Sequence, residues 1–378
     1  MEDGSKVTRR TALRLAGGSV AAGGLVGVVG ADDGLVGGDD ERVRVNVGYR
    51  TAGGRSVAED AAGTVIHDHP TGILTLEVDR KVLSPLRRSP GIRFVERDVE
   101  LETVQTVPYG IERVNAPDAH AAGETGDGAD VAVIDTGIQG DHPDLQANVG
   151  EGRAFLLGLS HGHWEDSNGH GTHCAGTIGA VDDDQGVVGV APEVTLHAVK
   201  VMNSIGTGFT SDIAAGIEWA ADQGHDIANL SLGGSGSNTL RESCQYAADR
   251  GMLLVAAAGN DGPCTDCVSA PATYPECFAV AATDENDDAA SFSSTGAEIE
   301  IAAPGANVES TYTGGGYQTL SGTSMAAPHV AGGAAQLVAN GYSADEARQR
   351  LKDTAEDVGL PETDQGEGRM DVAAALGV

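Results

Sequence analysis

Two apolar patterns divide this chain, and the change falls near residue 104. Upstream, residues 42–48 (Arg-Val-Arg-Val-Asn-Val-Gly), 72–78 (Gly-Ile-Leu-Thr-Leu-Glu-Val) and 92–99 (Ile-Arg-Phe-Val-Glu-Arg-Asp-Val) alternate apolar and polar side chains. That alternation predicts strands with one face on a core and one in water. Val82, Leu83 and Leu86 form a short helical face between the last two. The segment reads as a small α+β module. Downstream the apolar runs are continuous: 131–134, 196–201, 227–232, 252–257 and 277–282. Helical stretches separate them, such as 212–221 with Ile213, Ile217 and Ala220 on one face. Strands apolar on both faces, alternating with helices, predict an α/β fold: a mostly parallel, doubly wound sheet with helices on both faces. Near the end, 320–335 (Leu-Ser-Gly-Thr-Ser-Met-Ala-Ala-Pro-His-Val-Ala-Gly-Gly-Ala-Ala) reads as a glycine turn followed by a narrow buried helix. Pro328 suits the first turn of that helix, where no N–H is needed, and Ser324 stands at its N-terminus.

Length and charge sharpen this picture. The 378 residues suffice for one large domain with smaller appendages, and no internal repeat or low-complexity linker is visible. Thr8-Arg-Arg-Thr-Ala-Leu-Arg14 precedes a Gly/Ala/Val/Leu run and then Asp32-Asp33. Adjacent arginines before a weakly apolar run match a twin-arginine export signal over 1–31, too short and glycine-rich to span a membrane. The expected destination is outside the cell, with no membrane anchor. Acids outnumber bases 56 to 23. Residues 1–103 hold 16 acids and 14 bases, whereas 104–378 hold 40 and 9, a net charge of −31. Lysine occurs only at Lys6, Lys81, Lys200 and Lys352. Such a surface excludes nucleic acids and anionic membranes as partners. It fits a protein kept soluble in concentrated salt, where repulsion is screened over a few Å; the plain alternative is an ordinary acidic protein. Three domains are expected: the signal at 1–31, a module at 32–103 and a large domain at 104–378. Arginines of the module, among them Arg42, Arg44, Arg87 and Arg88, complement an acidic partner.

Ligands in open parallel sheets bind at the carboxyl ends of strands, so polar residues there are candidate chemistry. Asp135 ends the first such strand in Val-Ile-Asp-Thr-Gly137. It is either a turn former or an active-site acid. Residues 168–177 (Asn-Gly-His-Gly-Thr-His-Cys-Ala-Gly-Thr) open a small-residue helix and offer His170 and His173 as bases. His170, ahead of the helix, is the freer; His173 suits a structural hydrogen bond. A zinc site on His170, His173 and Cys174 lacks a defined fourth ligand, and Cys174 falls inside an apolar run. Asn260, in Ala-Ala-Gly-Asn260, also ends a strand, and its amide can meet an oxyanion. Ser324 is an N-cap or a nucleophile, and the helix N-terminus supplies free N–H groups to a developing oxyanion.

Taken together, these residues resemble the subtilases. The order Asp135, His170, Ser324 is that of subtilisin and differs from the other serine-hydrolase orders. Val-Ile-Asp-Thr-Gly137, His170-Gly-Thr-His-Cys-Ala-Gly176, Ala257-Ala-Gly-Asn260 and Gly322-Thr-Ser-Met-Ala-Ala-Pro-His-Val-Ala-Gly332 carry the resemblance, over about 104–375. Acidity and the export signal make it similar to the halolysin-type extracellular proteases of halophilic archaea, which commonly carry a C-terminal extension; the function of such an extension is not expected from residues 1–378. The resemblance implies a secreted, salt-dependent serine endopeptidase acting on proteins and peptides, expected as a monomer. It implies a triad of Asp135, His170 and Ser324, with Asn260 in the oxyanion hole. Residues 32–103 are expected to act as pro-domain, intramolecular chaperone and inhibitor, removed by self-cleavage between Thr103 and Val104. Alternatives are a catalytically silent binding protein on the same scaffold and an esterase-like hydrolase.

The resemblance extends to binding residues. Ser231, Leu232 and Gly233 and Ala257, Ala258 and Gly259 are expected to wall an S1 pocket with room for a large apolar side chain. Gly206, Thr207 and Gly208 are expected at the edge that pairs with extended substrate. A Ca2+ site is implied at Gln105, Asp144, Val181, Asp183, Gln185 and Val187, an all-oxygen set that fits a hard cation. Glu298 and Glu300 resemble a weaker second site. Of five cysteines, Cys174 resembles the free cysteine of the proteinase K-like branch. Cys264, Cys267 and Cys277, with Cys244, leave the disulfide pairing open.

Overall fold

The computed structural model describes residues 42–99 and 105–378, which form two compact units. The expected signal at 1–31 and the expected cleavage point between Thr103 and Val104 lie outside the described residues. The first unit holds β1 (Arg42–Tyr49), α1 (Ala52–Ala61), β2 (Ala62–His69), β3 (Ile73–Asp79), α2 (Leu83–Arg87) and β4 (Ile92–Arg97). Its antiparallel sheet runs β2-β3-β1-β4. Val45, Val47, Leu74, Leu76, Val78 and Val95 point to one face and bury there with Ala58 and Leu86, the outcome that period-two alternation predicts. Two elements, α1 and β2, were not legible. Helix α1 carries two glycines, and β2 reads Ala-Gly-Thr-Val-Ile-His-Asp-His on an exposed edge, with no buried residue to set a period.

The second unit begins with the short helices α3 (Tyr109–Arg113) and α4 (Ala116–Ala122). It continues with β5 (Asp130–Asp135), β6 (Val149–Leu156), β7 (Leu159–His161), α5 (His170–Gly179), β8 (Thr195–Lys200), α6 (Thr210–Gln223) and β9 (Ile227–Leu230). Then come α7 (Asn238–Ala248), β10 (Leu253–Ala257), β11 (Cys277–Thr283), β12 (Ile301–Pro304), β13 (Val308–Tyr312), β14 (Gly316–Leu320), α8 (Thr323–Ala339) and α9 (Ala344–Asp353). The sheet order is β12-β11-β10-β9-β5-β8-β6-β7, parallel except where β7 folds back on β6. Along β5, Val131 and Val133 enter a core shared with α5 and α8, while Ala132 and Ile134 enter the opposite core under α6 and α7. Helices cover both faces, as continuous apolar strands require.

Helix α8 runs through the first of these cores against β9, β10, β11, β12 and α5. All its residues from Met325 to Leu337 are buried, so it must be narrow. The helix starts at Thr323, which puts Pro328 in the second turn and corrects the first-turn expectation. Pro328 has no N–H for the carbonyl of Ser324, four residues back. That carbonyl is taken instead by the hydroxyl of Ser231 at 2.8 Å and the thiol of Cys174 at 3.4 Å. The missing helix bond becomes a tether between α8, the end of β9 and α5.

Gly332 measures how close the packing is. A methyl added there would lie 2.6 Å from Cβ of Val190. Alanine improves helix propensity by about 1 kcal/mol, but overpacking a rigid core costs about 1–3 kcal/mol. Gly332→Ala is therefore expected to destabilise by about 1 kcal/mol on balance. The denaturant midpoint at fixed salt checks this, and a midpoint above the parent contradicts it.

Candidate active site

The strand ends bring the expected chemistry together. Asp135 closes β5 with no solvent exposure. Its carboxylate accepts the Thr136 N–H at 2.7 Å and faces His170 Nδ1 at 2.8 and 2.9 Å. Both oxygens thus hold one imidazole nitrogen, which fixes its proton on Nδ1 and leaves Nε2 as the acceptor. Gly171 allows this approach, since a side chain there would run into the Gly137 carbonyl and lie 3.1 Å from Cβ of Asp135. Burial alone would lower the His170 pKa; the neighbouring Asp135 carboxylate overrides it and raises the imidazole well above 6.5.

Asp166 is a functional residue that the sequence reading missed. Its Oδ1 accepts the N–H groups of Asn168 and Gly169 at 2.8 and 3.1 Å; its Oδ2 accepts the N–H and hydroxyl of Thr172 at 3.0 and 2.7 Å. It therefore caps α5 and aims His170. Burial pushes its carboxyl upward, but these four donors win and hold it below its ordinary value. The available signal was an aspartate four residues before a histidine, with Asn-Gly between, just where a helix begins. Lys200, paired across the sheet with Asp135, is buried and donates to the Thr136 carbonyl.

His173 is structural, as expected: its Nε2 lies 3.0 Å from the carbonyls of Val308 and Gln318. Burial lowers its pKa to about 4, so it stays neutral. Cys174 lies 4.0 Å from both Asp135 Oδ2 and His170 Nδ1. Complete burial raises its pKa and keeps it a thiol. A zinc site on His170, His173 and Cys174 is thus disfavoured, because His173 is committed elsewhere and the sulfur is protonated.

Ser324 sits in the first turn of α8, where backbone N–H groups lack intrahelical partners. Its hydroxyl donates to the Ser231 carbonyl at 3.1 Å. Catalytic hydrogen bonds in substrate-free sites are often unmade in this way. Asn260 Oδ1 accepts from the N–H and hydroxyl of Thr323 at 2.9 and 3.1 Å. That locks the amide with Nδ2 free beside the first turn of α8. The hydroxyl of Thr323 in turn accepts the Gly259 N–H at 3.0 Å.

The two expected pocket walls face a common neighbour. Side chains added at Gly233 and Gly259 would lie 3.1 and 2.7 Å from Ser269 atoms, so Ser269 stands between the segments of Ser231, Leu232 and Gly233 and of Ala257, Ala258 and Gly259. The segment of Gly206, Thr207 and Gly208 is an exposed turn. Thr207 is tied to Asn203 by its carbonyl at 2.9 Å and its hydroxyl at 2.8 Å. It lies near His170, since Asn168, two residues before that histidine, donates through Nδ2 to the Ser204 carbonyl at 3.1 Å.

The structure brings the expected calcium ligands together in pairs. Gln105 Nε2 reaches the Val181 carbonyl at 2.9 Å, and the Gln105 N–H donates to Asp184 at 3.0 Å. Asp144 is buried; its carboxylate accepts the Val187 N–H at 2.9 Å and the Tyr317 hydroxyl at 3.1 Å. No ion pair with Lys or Arg among the described residues neutralises it. A buried carboxylate met, among the described residues, only by two neutral donors keeps its charge uncompensated, which fits a hard cation. Asp183 and Gln185 are exposed, and the Asp183 side chain accepts the Gln185 N–H at 3.2 Å. The second expected site does not hold: Glu300 is paired with Arg348 and, at 2.9 Å, with Lys352. Cys264 and Cys267 are joined in a disulfide; Cys174, Cys244 and Cys277 are free and buried.

Comparison with known proteins agrees with this geometry. Residues 126–369 match the Subtilase family. An alkaline protease of Alkalihalobacillus alcalophilus is 45% identical over 325 residues, covering 85% of this chain and 83% of the relative. Subtilisin Savinase of Lederbergia lenta is 49% identical over 274 residues, 72% of this chain and 99% of the relative. Subtilisin E of Bacillus subtilis is 43% identical over 304 residues, 79% of each. With an aspartate, a histidine and a serine at strand and helix ends in subtilase order, and with relatives of this similarity along most of its length, the chain belongs to the subtilase family and is a serine endopeptidase.

Proposed function

We propose that the protein is a secreted, salt-dependent endopeptidase of halolysin type, made as a zymogen and cutting peptide bonds through Asp135, His170 and Ser324. The observation that carries this reading is the Asp135 carboxylate facing His170 Nδ1 at 2.8 and 2.9 Å on a helix capped by Asp166. With Nδ1 protonated, Nε2 takes the Ser324 proton as Oγ attacks the scissile carbonyl. Asp135 stabilises the imidazolium, and the oxyanion is met by Asn260 Nδ2 and the Ser324 N–H. His170 returns the proton to the leaving amine, and water repeats the cycle on the acyl-enzyme. Small residues at Gly233, Ala257, Ala258 and Gly259 support a preference for large apolar P1 side chains, with Gly206 to Gly208 guiding extended substrate.

The pro-domain reading rests on the compact unit at 42–99 and on the charge step near residue 104. Alignment length supports the same boundary, since a relative matched over 99% of its length aligns with 274 residues, about as many as 104–378 contains. Among the described residues no helix is long and apolar enough to cross a membrane; export is assigned to the twin-arginine segment. Structural Ca2+ is assigned to Gln105, Asp144, Val181, Asp183, Gln185 and Val187. Bound there, the ion would offset the buried Asp144 charge and tie residue 105 to the 181–187 loop.

Three outcomes test the proposal. Ser324→Ala should lower peptide hydrolysis on the order of 10⁶-fold, the scale known for the triad serine of subtilisin. It should also remain uncut at Thr103–Val104 when expressed alone. Normal trimming of that variant, read by N-terminal sequencing, would show that another protease matures the chain.

The pH dependence follows from the raised His170 pKa. The base works only when neutral, so kcat/KM should fall as pH drops through an ionisation lying above 6.5. Asp135→Asn removes the charge that raises it and should move the residual activity's acid limb to lower pH. An acid limb that stays in place in this variant contradicts the assignment of His170 as base.

The half-life of activity at one temperature separates salt from calcium. It should be long in molar salt with calcium, shorter with chelator and shortest in dilute buffer. Asp144→Asn should erase the chelator effect alone. A chelator-insensitive parent removes the calcium reading, and lasting activity in dilute buffer removes the halophilic one.

A further inference from the structure

Toward the amino ends of the central strands, away from the triad, three ligating side chains converge that hydrolysis does not use. Asp130 opens β5 five residues ahead of Asp135, about 17 Å away along the strand at the usual rise. His197 is the third residue of β8, and His225 lies just before β9. Asp130 Oδ1 is 2.8 Å from His197 Nε2, and the two imidazoles stack with centroids 3.9 Å apart and planes at 17°. One ligating atom from each of the three residues lies within 4.8 Å of the others. Asp226 joins the group, its Oδ2 accepting the Asp130 N–H at 2.9 Å. Gly150 makes room for the His197 ring, since a side chain there would lie 2.8 Å from Cε1.

Both histidines are buried, 7% and 6% exposed, yet His225 Nε2 and His197 Nδ1 have no hydrogen-bond partner. Unpaired buried nitrogens are costly and rare. A simple Asp130–His197 pair stacked on a neutral His225 leaves His225 Nε2, the orphan that faces the cluster's ligand set, unexplained.

We propose that Asp130, His197 and His225 form a metal site for a borderline divalent ion of the Zn2+ class. Two imidazoles and one carboxylate suit nitrogen-preferring ions, whereas calcium takes oxygen ligands. The ion replaces the proton shared between Asp130 and His197 and gives His225 Nε2 a partner. Water or Asp226 completes the shell, and the 43% exposed Asp130 side chain provides the entry from solvent. Stacked rings direct their lone pairs in parallel, so coordination makes them splay apart. Trp219, whose ring meets His225 edge-on at 5.6 Å, reports that movement.

The test titrates the full-length Ser324→Ala protein, held in saturating Ca2+, with Zn2+ by calorimetry and with Cu2+ by tryptophan fluorescence. The expected result is one equivalent of saturable Zn2+ binding, and Cu2+ quenching of the Trp219 part of an emission shared with Trp164. His225→Gln and Asp130→Asn should each lose both signals. Asp130 lies partly in solvent, so its variant keeps the test available where the histidine variant fails to fold. Absence of saturable binding overturns the proposal. So do binding and quenching that survive both substitutions, or binding lost only with His170→Ala, which puts the ion on the Asp135, His170 and Cys174 group instead.

Discussion

Keeping a carboxylate charged at Asp135, where solvent does not reach, is the constraint from which the rest of the site follows. A buried charge is tolerable only when paired and hydrogen-bonded. Asp135 has the Thr136 N–H on one oxygen and the His170 imidazole across both. Lys200, at the end of the neighbouring strand, adds a cation nearby and holds the Thr136 carbonyl. The same charge that would be costly unpaired raises His170, and so gives an imidazole that ionises above the usual histidine range. Gly171 and the Asp166 cap exist in this geometry to let the ring approach and to hold it there. Structure and reactivity at this point have one cause.

The placement of Ser324 depends on a second constraint, the narrowness of α8. A helix buried on all sides must be built of Ala, Gly and other small residues, and its N-terminus then emerges at the strand ends rather than at the surface. Pro328 leaves the Ser324 carbonyl without its helical partner, and Ser231 and Cys174 take it. That exchange fixes the serine backbone to β9 and α5 at once, while Thr323 fixes Asn260. Asn260 Nδ2 and the Ser324 N–H, the donors proposed for the oxyanion, are therefore positioned by one helix turn. Preorganisation of this kind stabilises charge without reorganisation during the reaction.

Much of this was legible in the residues because burial writes a pattern. Continuous apolar strands announced the parallel sheet, and the polar residues at their ends announced the site. The failures have physical reasons. Strand β2 is exposed, so nothing constrains its period; α1 relies on glycine; and β13 and β14 form a separate two-stranded ladder with β14 largely in water. Asp166 was missed because capping depends on a turn geometry that spacing alone does not reveal. Glu300 looked like a cation ligand until Arg348 and Lys352, about fifty residues away in sequence, came into contact with it. The position of Pro328 was misread by one turn because the helix starts at Thr323, ahead of the apolar run.

The central claim is that Ser324 is the group made nucleophilic by His170. Covalent labelling with a serine-directed organophosphonate, followed by identification of the modified peptide, tests it most directly. The account predicts one label per active chain, on Ser324, with the rate of labelling rising as His170 loses its proton and collapsing in His170→Ala. A label on another residue, or full proteolytic activity in protein that the reagent leaves unmodified, would contradict it.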